Sequence, residues 1–440
     1  MPERPHRIRS SGLVPVRADE WPLFVLAFAW FFLLLCGYYL LRPLRDALAA
    51  MAGGGMQWLF TATSLVMLLL APAYGLLVAR LRKNLLLPAV YLFFAANLLL
   101  FYALFRGALW PEWTARVFFV WLSVFNMFVV SVFWSFMADL LPRQQAERLF
   151  GPIAAGGSAG AILGPLLAHA LVGSFGAAGL TLLAALLIAA TTLCIVGLRR
   201  HLARRGVTTA ALSPGHRVGG SAWAGFGTLG RSSFLLAICA MVLLGSLAAT
   251  FMYLEILQLA GERYPDAATR TRFFARLDLS VNAAALLVQL VVTPWLVRRF
   301  GIVAGLVLLP VVAFGSFLWV ATAPTLMTLA WTQVLRRVLE FGAARPTREM
   351  LFTAVDEESR FKAKNVIDTL VQRLSDTVSA WLHMLLQVAG IAASGLGMIC
   401  AGIMLVIVAL AGWLASEFAR MTPPAAERGA VPTRPPLPTG

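Results

Sequence analysis

Residues 21–41 read WPLFVLAFAWFFLLLCGYYLL, an unbroken stretch without a charged side chain. At a rise of about 1.5 Å per residue such a run is a helix long enough to cross the hydrocarbon core of a bilayer. It does not alternate apolar and polar residues as the strands of a membrane barrel do. It is too long for a signal peptide and no small-residue cleavage site follows it, so it is expected to be retained as a first span.

The same pattern recurs along the chain. Twelve apolar segments are predicted, at roughly 21–41, 57–79, 84–105, 115–138, 150–173, 177–198, 232–258, 274–297, 301–322, 324–344, 366–389 and 394–416. Over all 440 residues 60% are hydrophobic and 13% charged, with a mean hydropathy of +0.80. Soluble domains are about 45–50% apolar and about 25% charged, so this surplus does not fit inside one water-soluble core. The 29 Phe and 13 Trp need burial, which excludes a disordered or collagen-like chain. The fold class expected is an all-α membrane protein of twelve transmembrane helices, with the bilayer as its solvent.

The formal charge of +16 does not point to nucleic acid, because the basic residues sit in short connections between apolar runs. Their distribution instead orients the chain. With the N-terminus inside, 27 basic residues are assigned to the cytoplasmic side, Arg336 and Arg337 at the inner part of the tenth segment counted among them, and eight outside, with Arg373 within the eleventh segment. This bias sets both termini in the cytoplasm and requires an even number of spans. A bacterial inner membrane is the expected location.

The longest connection, 199–231, carries Arg199, Arg200, Arg204 and Arg205 and then a Gly/Ser/Pro stretch. It divides the chain into an N-terminal six-helix bundle (1–198), a cytoplasmic linker (199–231), a C-terminal six-helix bundle (232–418) and a disordered tail (419–440). The halves show weak likeness: basic clusters follow the second segment (Arg80, Arg82, Lys83) and the eighth (Arg298, Arg299), and charged runs follow the fourth (Glu147, Arg148) and the tenth (Glu357, Glu358, Arg360). Two pseudo-equivalent halves are the architecture of many secondary transporters.

An ionisable residue inside a span is costly, and is therefore a functional candidate. In the tenth segment Arg336 and Arg337 fall close to mid-membrane, and Glu340 follows Arg336 by one turn on the same face. Two readings stand and can coexist: an internal Arg336–Glu340 pair that locks helices together, or an anion-binding site in a water-filled cavity. The first segment ends in Arg42, Arg45 and Asp46; these arginines either snorkel to the outer headgroups or sit on an inward-facing continuation of the helix and grip a phosphate or carboxylate. Asp278 and Asn282 share a face of the eighth segment, and Asp278 can exchange protons or pair with Arg276 or Arg45. Arg373 and Asp376, three residues apart, form a structural pair, a gate or a ligand contact. Asn126 is either a ligand contact or an interhelical bond. The expected substrate-binding set is Arg45, Asn126, Arg336, Arg337 and Glu340. The expected gating or coupling set is Arg42, Asp46, Asp278, Asn282, Arg373 and Asp376. Gly156, Gly160 and Gly164, four residues apart, are read as a close helix contact.

No enzyme is expected. The five His are dispersed and the four Cys (Cys36, Cys194, Cys239, Cys400) form no spaced pairs, so no convergent catalytic set, metal site or cofactor is called for. His383 is read as a helix–helix contact.

Two resemblances bear on function. Gly75, Arg80, Arg82 and Lys83 resemble the helix 2–3 loop motif of the major facilitator superfamily, with Ala79 in place of its usual Asp. More specifically, the run from Tyr39 through Arg42-Pro43-Leu44-Arg45-Asp46 is similar to the ATP:ADP antiporter (nucleotide transporter) family, itself of facilitator-like fold. So are Phe133-Trp134-Ser135-Phe136 with Gln145 to Phe150, and Pro346 to Met350 with Lys362 to Asp368. The chain looks like a divergent, free-living bacterial relative. The family's acidic residue in helix 4 falls near Ser123 and its basic residue early in helix 11 near Asp376, so the likeness departs at both points. The resemblance implies alternating access and a phosphate-bearing or otherwise anionic small-molecule substrate, with Arg45 where the family carries a basic residue important for exchange. A monomer is expected. The rival readings are proton-coupled efflux of a drug or metabolite, with essential carboxylates at Asp278 or Glu255, and a lipid scramblase.

Overall fold

The computed structural model describes residues 16–17, 19–51, 55–80, 83–204, 232–355, 363–364 and 366–421, with side chains other than those of 71–80, 83–86, 143 and 368–370. Most of the expected linker (205–231) and tail (422–440) lie outside the described residues, as do Arg82, Lys362 and Asn365 of the quoted motifs.

Every one of the twelve apolar segments falls on a helix. In order these are α1 (Trp21–Ala49), α2 (Met56–Arg80), α3 (Lys83–Arg106) and α4 (Pro111–Leu140). A continuous run, Arg143–Arg204, is broken at Gly176 (φ 61°, ψ −166°) into α5 (143–175) and α6 (177–204). Then comes α7 (Ser233–Arg263). The run Ala267–Thr322 breaks at Gly301 (φ 74°, ψ −175°) into α8 (267–300) and α9 (302–322). Finally come α10 (326–351), α11 (366–388) and α12 (Ala393–Met421). At both breaks the chain takes a positive φ that only glycine adopts without strain, so each pair of expected helices is separated by a sharp corner at the glycine.

Several helices run past their expected ends, among them α5 (from 143), α7 (to 263), α8 (from 267) and α10 (to 351). Helix α1 does not stop at Leu41 but runs on through Pro43 to Ala49, carrying Arg42, Arg45 and Asp46 inside the helix. Helix α6 extends to Arg204, six residues into the expected linker, with basic residues in its last turn suiting the negative end of the helix dipole. Helix α12 extends three residues into the expected tail.

The chain clusters into two compact units. The first comprises residues 1–218 and 254–284, the second 219–253 and 285–440. Helices α7 and α8 thus each contribute to both.

The first unit is organised on α1 against α5. Gly156, Gly160 and Gly164 recur every four residues on one face of α5, and a methyl group added at any of them would lie 2.4–2.7 Å from a backbone oxygen of Phe28, Phe32 or Cys36. Only hydrogen side chains let the two backbones approach this closely. On another face of α1, Trp30 is fully buried against Tyr91 of α3 and Phe133 of α4, with ring centroids 5.6 and 5.1 Å away. The Tyr91 hydroxyl donates to the Val129 carbonyl at 3.1 Å. At the start of α1, Glu20 is buried and takes a two-pronged contact from Arg148 of α5 (Nη2–Oε1 2.8 Å, Nη1–Oε2 3.2 Å) plus the Arg17 backbone N–H. Burial opposes ionisation of Glu20, but these hydrogen bonds and the Arg148 charge outweigh it and hold the carboxyl below the usual range.

The second unit packs Phe234, Leu235 and Ile238 of α7 with Phe352, Ile367 and Leu414 in one core. Gly397 of α12 brings that helix against the backbone of α9 at Phe317 and Ala321. Helices α8 and α10 are each interrupted by a wide π turn, Val288–Val292 and Glu340–Ala344. The two turns meet: Gly342 lies against Val288, and the Thr293 hydroxyl donates to the Gly342 carbonyl at 2.6 Å. A third π segment, Val366–Val371, opens α11.

Candidate functional site

In the first unit the continuation of α1 decides where the expected arginines go. Arg42 reaches Asp278 of α8 (Nη1–Oδ1 3.5 Å) and lies over the Tyr39 ring at 5.8 Å. Asp278 therefore faces Arg42, a partner that the sequence did not single out. Extending α1 past Pro43 brings Arg42 to the level of Asp278, while Arg45, one turn on, turns to its neighbour Asp46 (Nη2–Oδ1 2.7 Å) and stacks over Phe119 of α4 at 5.0 Å. The Asp278 side chain is 2% exposed and that of Arg42 18%. Asn282, one turn along α8, donates to the Ala161 carbonyl of α5 at 2.8 Å, so it binds helices together. Asn126 is half-buried on α4.

In the second unit the cations gather on α10. A capping box at Thr325 and Thr328 starts this helix, and its ordinary α turns run to Leu339 before the π turn. Arg336 donates from Nε and Nη2 to the side-chain amide oxygen Oε1 of Gln333 at 3.3 and 3.2 Å. Its hydrogen bonds thus go back to a neutral amide rather than forward to Glu340, whose charge acts on it through space. Arg337 is buried and lies over Phe341 at 5.8 Å, and Arg345 covers the same ring at 5.6 Å. Between 336 and 345 there are three arginines and one carboxylate, a local excess of positive charge.

A second polar cluster joins α7 to α11. Ser246 donates to Asp376 Oδ1 at 2.5 Å, Gln372 donates to Ser246 Oγ at 2.9 Å and to the same carboxylate oxygen at 3.3 Å, and Arg373 faces Oδ2 at 3.8 Å. His383, two turns further along α11, is buried with its ring 5.7 Å from Phe251.

Sequence reasoning missed Gln333, Ser246 and Gln372, and the aromatic faces Phe119 and Phe341 beneath the guanidinium groups. Gln333 and Gln372 carried a signal, an uncharged amide one turn before an intramembrane charge. Ser246 and the two Phe did not, because a lone serine or phenylalanine is ordinary in an apolar helix.

The arrangement is a set of charges held inside apolar helices by short-range partners, which suits selective passage rather than bond chemistry. A family model for the Major Facilitator Superfamily matches residues 23–347. No curated sequence relative matches the chain. Among solved structures, a bacterial homologue of the iron transporter ferroportin in its inward-facing state is similar with a TM-score of 0.65 at 15% identity, over 90% of this chain and 98% of that one. A POT family transporter in complex with a thioalcohol-conjugated peptide gives 0.61 at 12% identity, over 90% and 96%. The nucleoside transporter NupG gives 0.53 at 14% identity, over 92% and 99%. These likenesses concern the fold. This chain is a multi-pass membrane transporter belonging to the major facilitator superfamily.

Proposed function

We propose that the protein is a secondary transporter of a small anionic, phosphate-bearing solute, nucleotide-like in kind, working by alternating access. The observation that carries this reading is Arg336, whose hydrogen bonds go to neutral Gln333 within a stretch that also holds Arg337 and Arg345 against the single acid Glu340. A cation kept within a span without a carboxylate of its own to hydrogen-bond retains its field for a ligand, and the guanidinium fork matches a phosphate. Arg337, Glu340, Arg45 and Asn126 complete the substrate set, with Arg42, Asp46, Asp278, Asn282, Arg373 and Asp376 in gating or coupling roles. The resemblance to the ATP:ADP antiporter family favours a nucleotide among phosphate-bearing solutes. Two six-helix halves joined by the 199–231 connection are the moving parts, and the basic-residue bias favours a bacterial inner membrane with both termini in the cytoplasm.

The test is a thermal-shift screen of the purified protein against nucleotides, sugar phosphates and dicarboxylates, followed by uptake into liposomes. Stabilisation by a phosphate-bearing anion that disappears in Arg336→Ala is expected. Stabilisation by cationic or apolar solutes alone, unaffected by Arg336→Ala, would sink the reading. Single-cysteine labelling at the two termini tests the orientation.

A further inference from the structure

The corner between α7 and α8 gathers arginines that run against the charge bias of the chain. Four of the eight basic residues assigned to the outside, Arg263, Arg270, Arg272 and Arg276, fall there, although outer connections ordinarily carry few. The acids beside them are engaged elsewhere. Asp266 accepts from the Thr269 N–H and hydroxyl at 2.8 and 2.9 Å, and Glu262 accepts from Gln258 at 3.2 Å. Arg270 is 3% exposed and donates to the Tyr264 carbonyl at 2.7 Å, which leaves its Nε and Nη2 without a hydrogen-bond partner. Arg272 and Arg276 stand one turn apart on one face of α8, a like-charge spacing that destabilises a helix. Among the described residues neither makes an ion pair. Their face of α8 meets the end of α5. The Arg272 guanidinium occupies a notch that glycine leaves open, because any side chain at Gly173 would collide with its Nη2. His169, one turn before Gly173, lies in the field of both guanidinium groups, and its Nδ1 is buried without a hydrogen-bond partner. Two guanidinium forks and an imidazole nitrogen thus converge from two helices of the first compact unit.

We propose that the notch between α5 and α8, lined by His169, Gly173, Arg272 and Arg276, binds a phosphate group. A bound phosphate removes the repulsion between the two arginines and accepts from both forks. With its proton on Nδ1, His169 supplies a third donor. Donors from two turns of one helix and from a second helix match a tetrahedral group with three outward oxygens better than a planar carboxylate with two. Arg272 precedes the apolar segment expected from 274 and Arg276 lies in its first turn, so the notch is at the level of lipid headgroups and not of hydrocarbon. The headgroup phosphate of a lipid and the phosphate of a dissolved ester share this chemistry. Either one bridges α5 and α8 and strengthens their contact. None of these residues belongs to the substrate set proposed above, so the site stands whether or not the transported solute carries a phosphate.

Two titrations of the detergent-purified protein test this. One adds inorganic phosphate and follows the thermal midpoint. The other adds dioleoyl phosphatidylglycerol and counts lipid adducts by native mass spectrometry, with dioleoylglycerol as the phosphate-free control. In at least one arm the wild type should bind, Arg336→Ala should keep that binding, and the double variant Arg272→Gln with Arg276→Gln should bind about tenfold more weakly, the loss of roughly one charge-assisted contact. Gly173→Ala displaces only the end of the flexible Arg272 side chain. It should weaken the same arm while the midpoint without ligand stays near that of the wild type, and it decides the matter if the double variant does not fold. Binding in the phosphate arm alone assigns the site to a dissolved phosphate, binding in the lipid arm alone to a headgroup, and binding in both to either. No binding in either arm, binding unchanged in the double variant, or binding lost in Arg336→Ala instead overturns the proposal.

Discussion

Arg42 of α1 and Asp278 of α8 approach to 3.5 Å although 236 positions separate them in the chain, and both belong to the first compact unit. The pair ties the far end of α1 to the beginning of α8. Removing one member of a buried pair costs about 3–5 kcal/mol, because the other charge is left without compensation, whereas an apolar replacement of both is often close to neutral. Asp278→Leu should therefore lower the thermal midpoint in detergent markedly, since Arg42 cannot shed its charge. Arg42→Leu should cost less, since a carboxyl can protonate. The double variant should recover most of the loss. Additive losses in the double variant would show that the two side chains act independently.

The close approach of α1 and α5 makes a sharper claim. At Gly160 an added methyl would stand 2.4 Å from the Phe32 carbonyl oxygen and 2.8 Å from the Cys36 amide nitrogen, both backbone atoms that cannot step aside. Gly160→Ala should abolish or severely reduce folded protein. Gly151→Ala and Gly245→Ala, where nothing lies within 4 Å, should be harmless or slightly favourable because alanine is the better helix former. The yield of monodisperse protein in size-exclusion chromatography separates these outcomes.

This contact also shows what the sequence could and could not reveal. The spacing of Gly156, Gly160 and Gly164 announced a helix crossing, because a four-residue repeat marks one face of a helix, but not its partner, which depends on tertiary packing. Segment length and apolarity located all twelve helices, because in lipid the backbone must satisfy itself locally. Helix ends were less legible: Arg42-Pro43 looked like a terminus, yet the helix passes through it. The charges on α1, α8, α10 and α11 stood out against apolar surroundings, but their partners did not. Asp278 had several arginines to choose from by sequence, and it is the register of α1 against α8 that brings Arg42 to it.

The Glu20–Arg148 contact predicts a pH dependence with a definite sign. The Glu20 carboxyl is held below its usual range in the folded protein, so the unfolded chain binds the extra proton first as pH falls. The stability this group contributes is complete above the unfolded value, about 4.3, and is lost as pH drops through the folded one. The thermal midpoint should fall between about pH 5 and pH 3, and Glu20→Gln should flatten part of that fall while lowering the midpoint at neutral pH. A pH profile in Glu20→Gln that parallels the wild type would assign the acid sensitivity to other carboxylates.

The paired π turns of α8 and α10 support a last prediction. A π turn leaves a backbone carbonyl outside the regular hydrogen-bond ladder, and here the Gly342 carbonyl is taken up by the Thr293 hydroxyl of α8 at 2.6 Å. Thr293 is buried, so water does not readily replace that donor. Thr293→Val keeps the side-chain shape and removes the hydroxyl, leaving a buried acceptor unmet at a cost of about 1–3 kcal/mol. Thr293→Ser keeps the donor and should cost less. Because Arg336 and Arg337 lie on the turns just before this widening, loosening the joint should also weaken anion-induced stabilisation in Thr293→Val more than in Thr293→Ser. If both variants lose thermal stability equally, the methyl group and not the hydroxyl matters at this position. If Thr293→Val is destabilised yet keeps full anion-induced stabilisation, the joint supports the helix pair without setting the arginines.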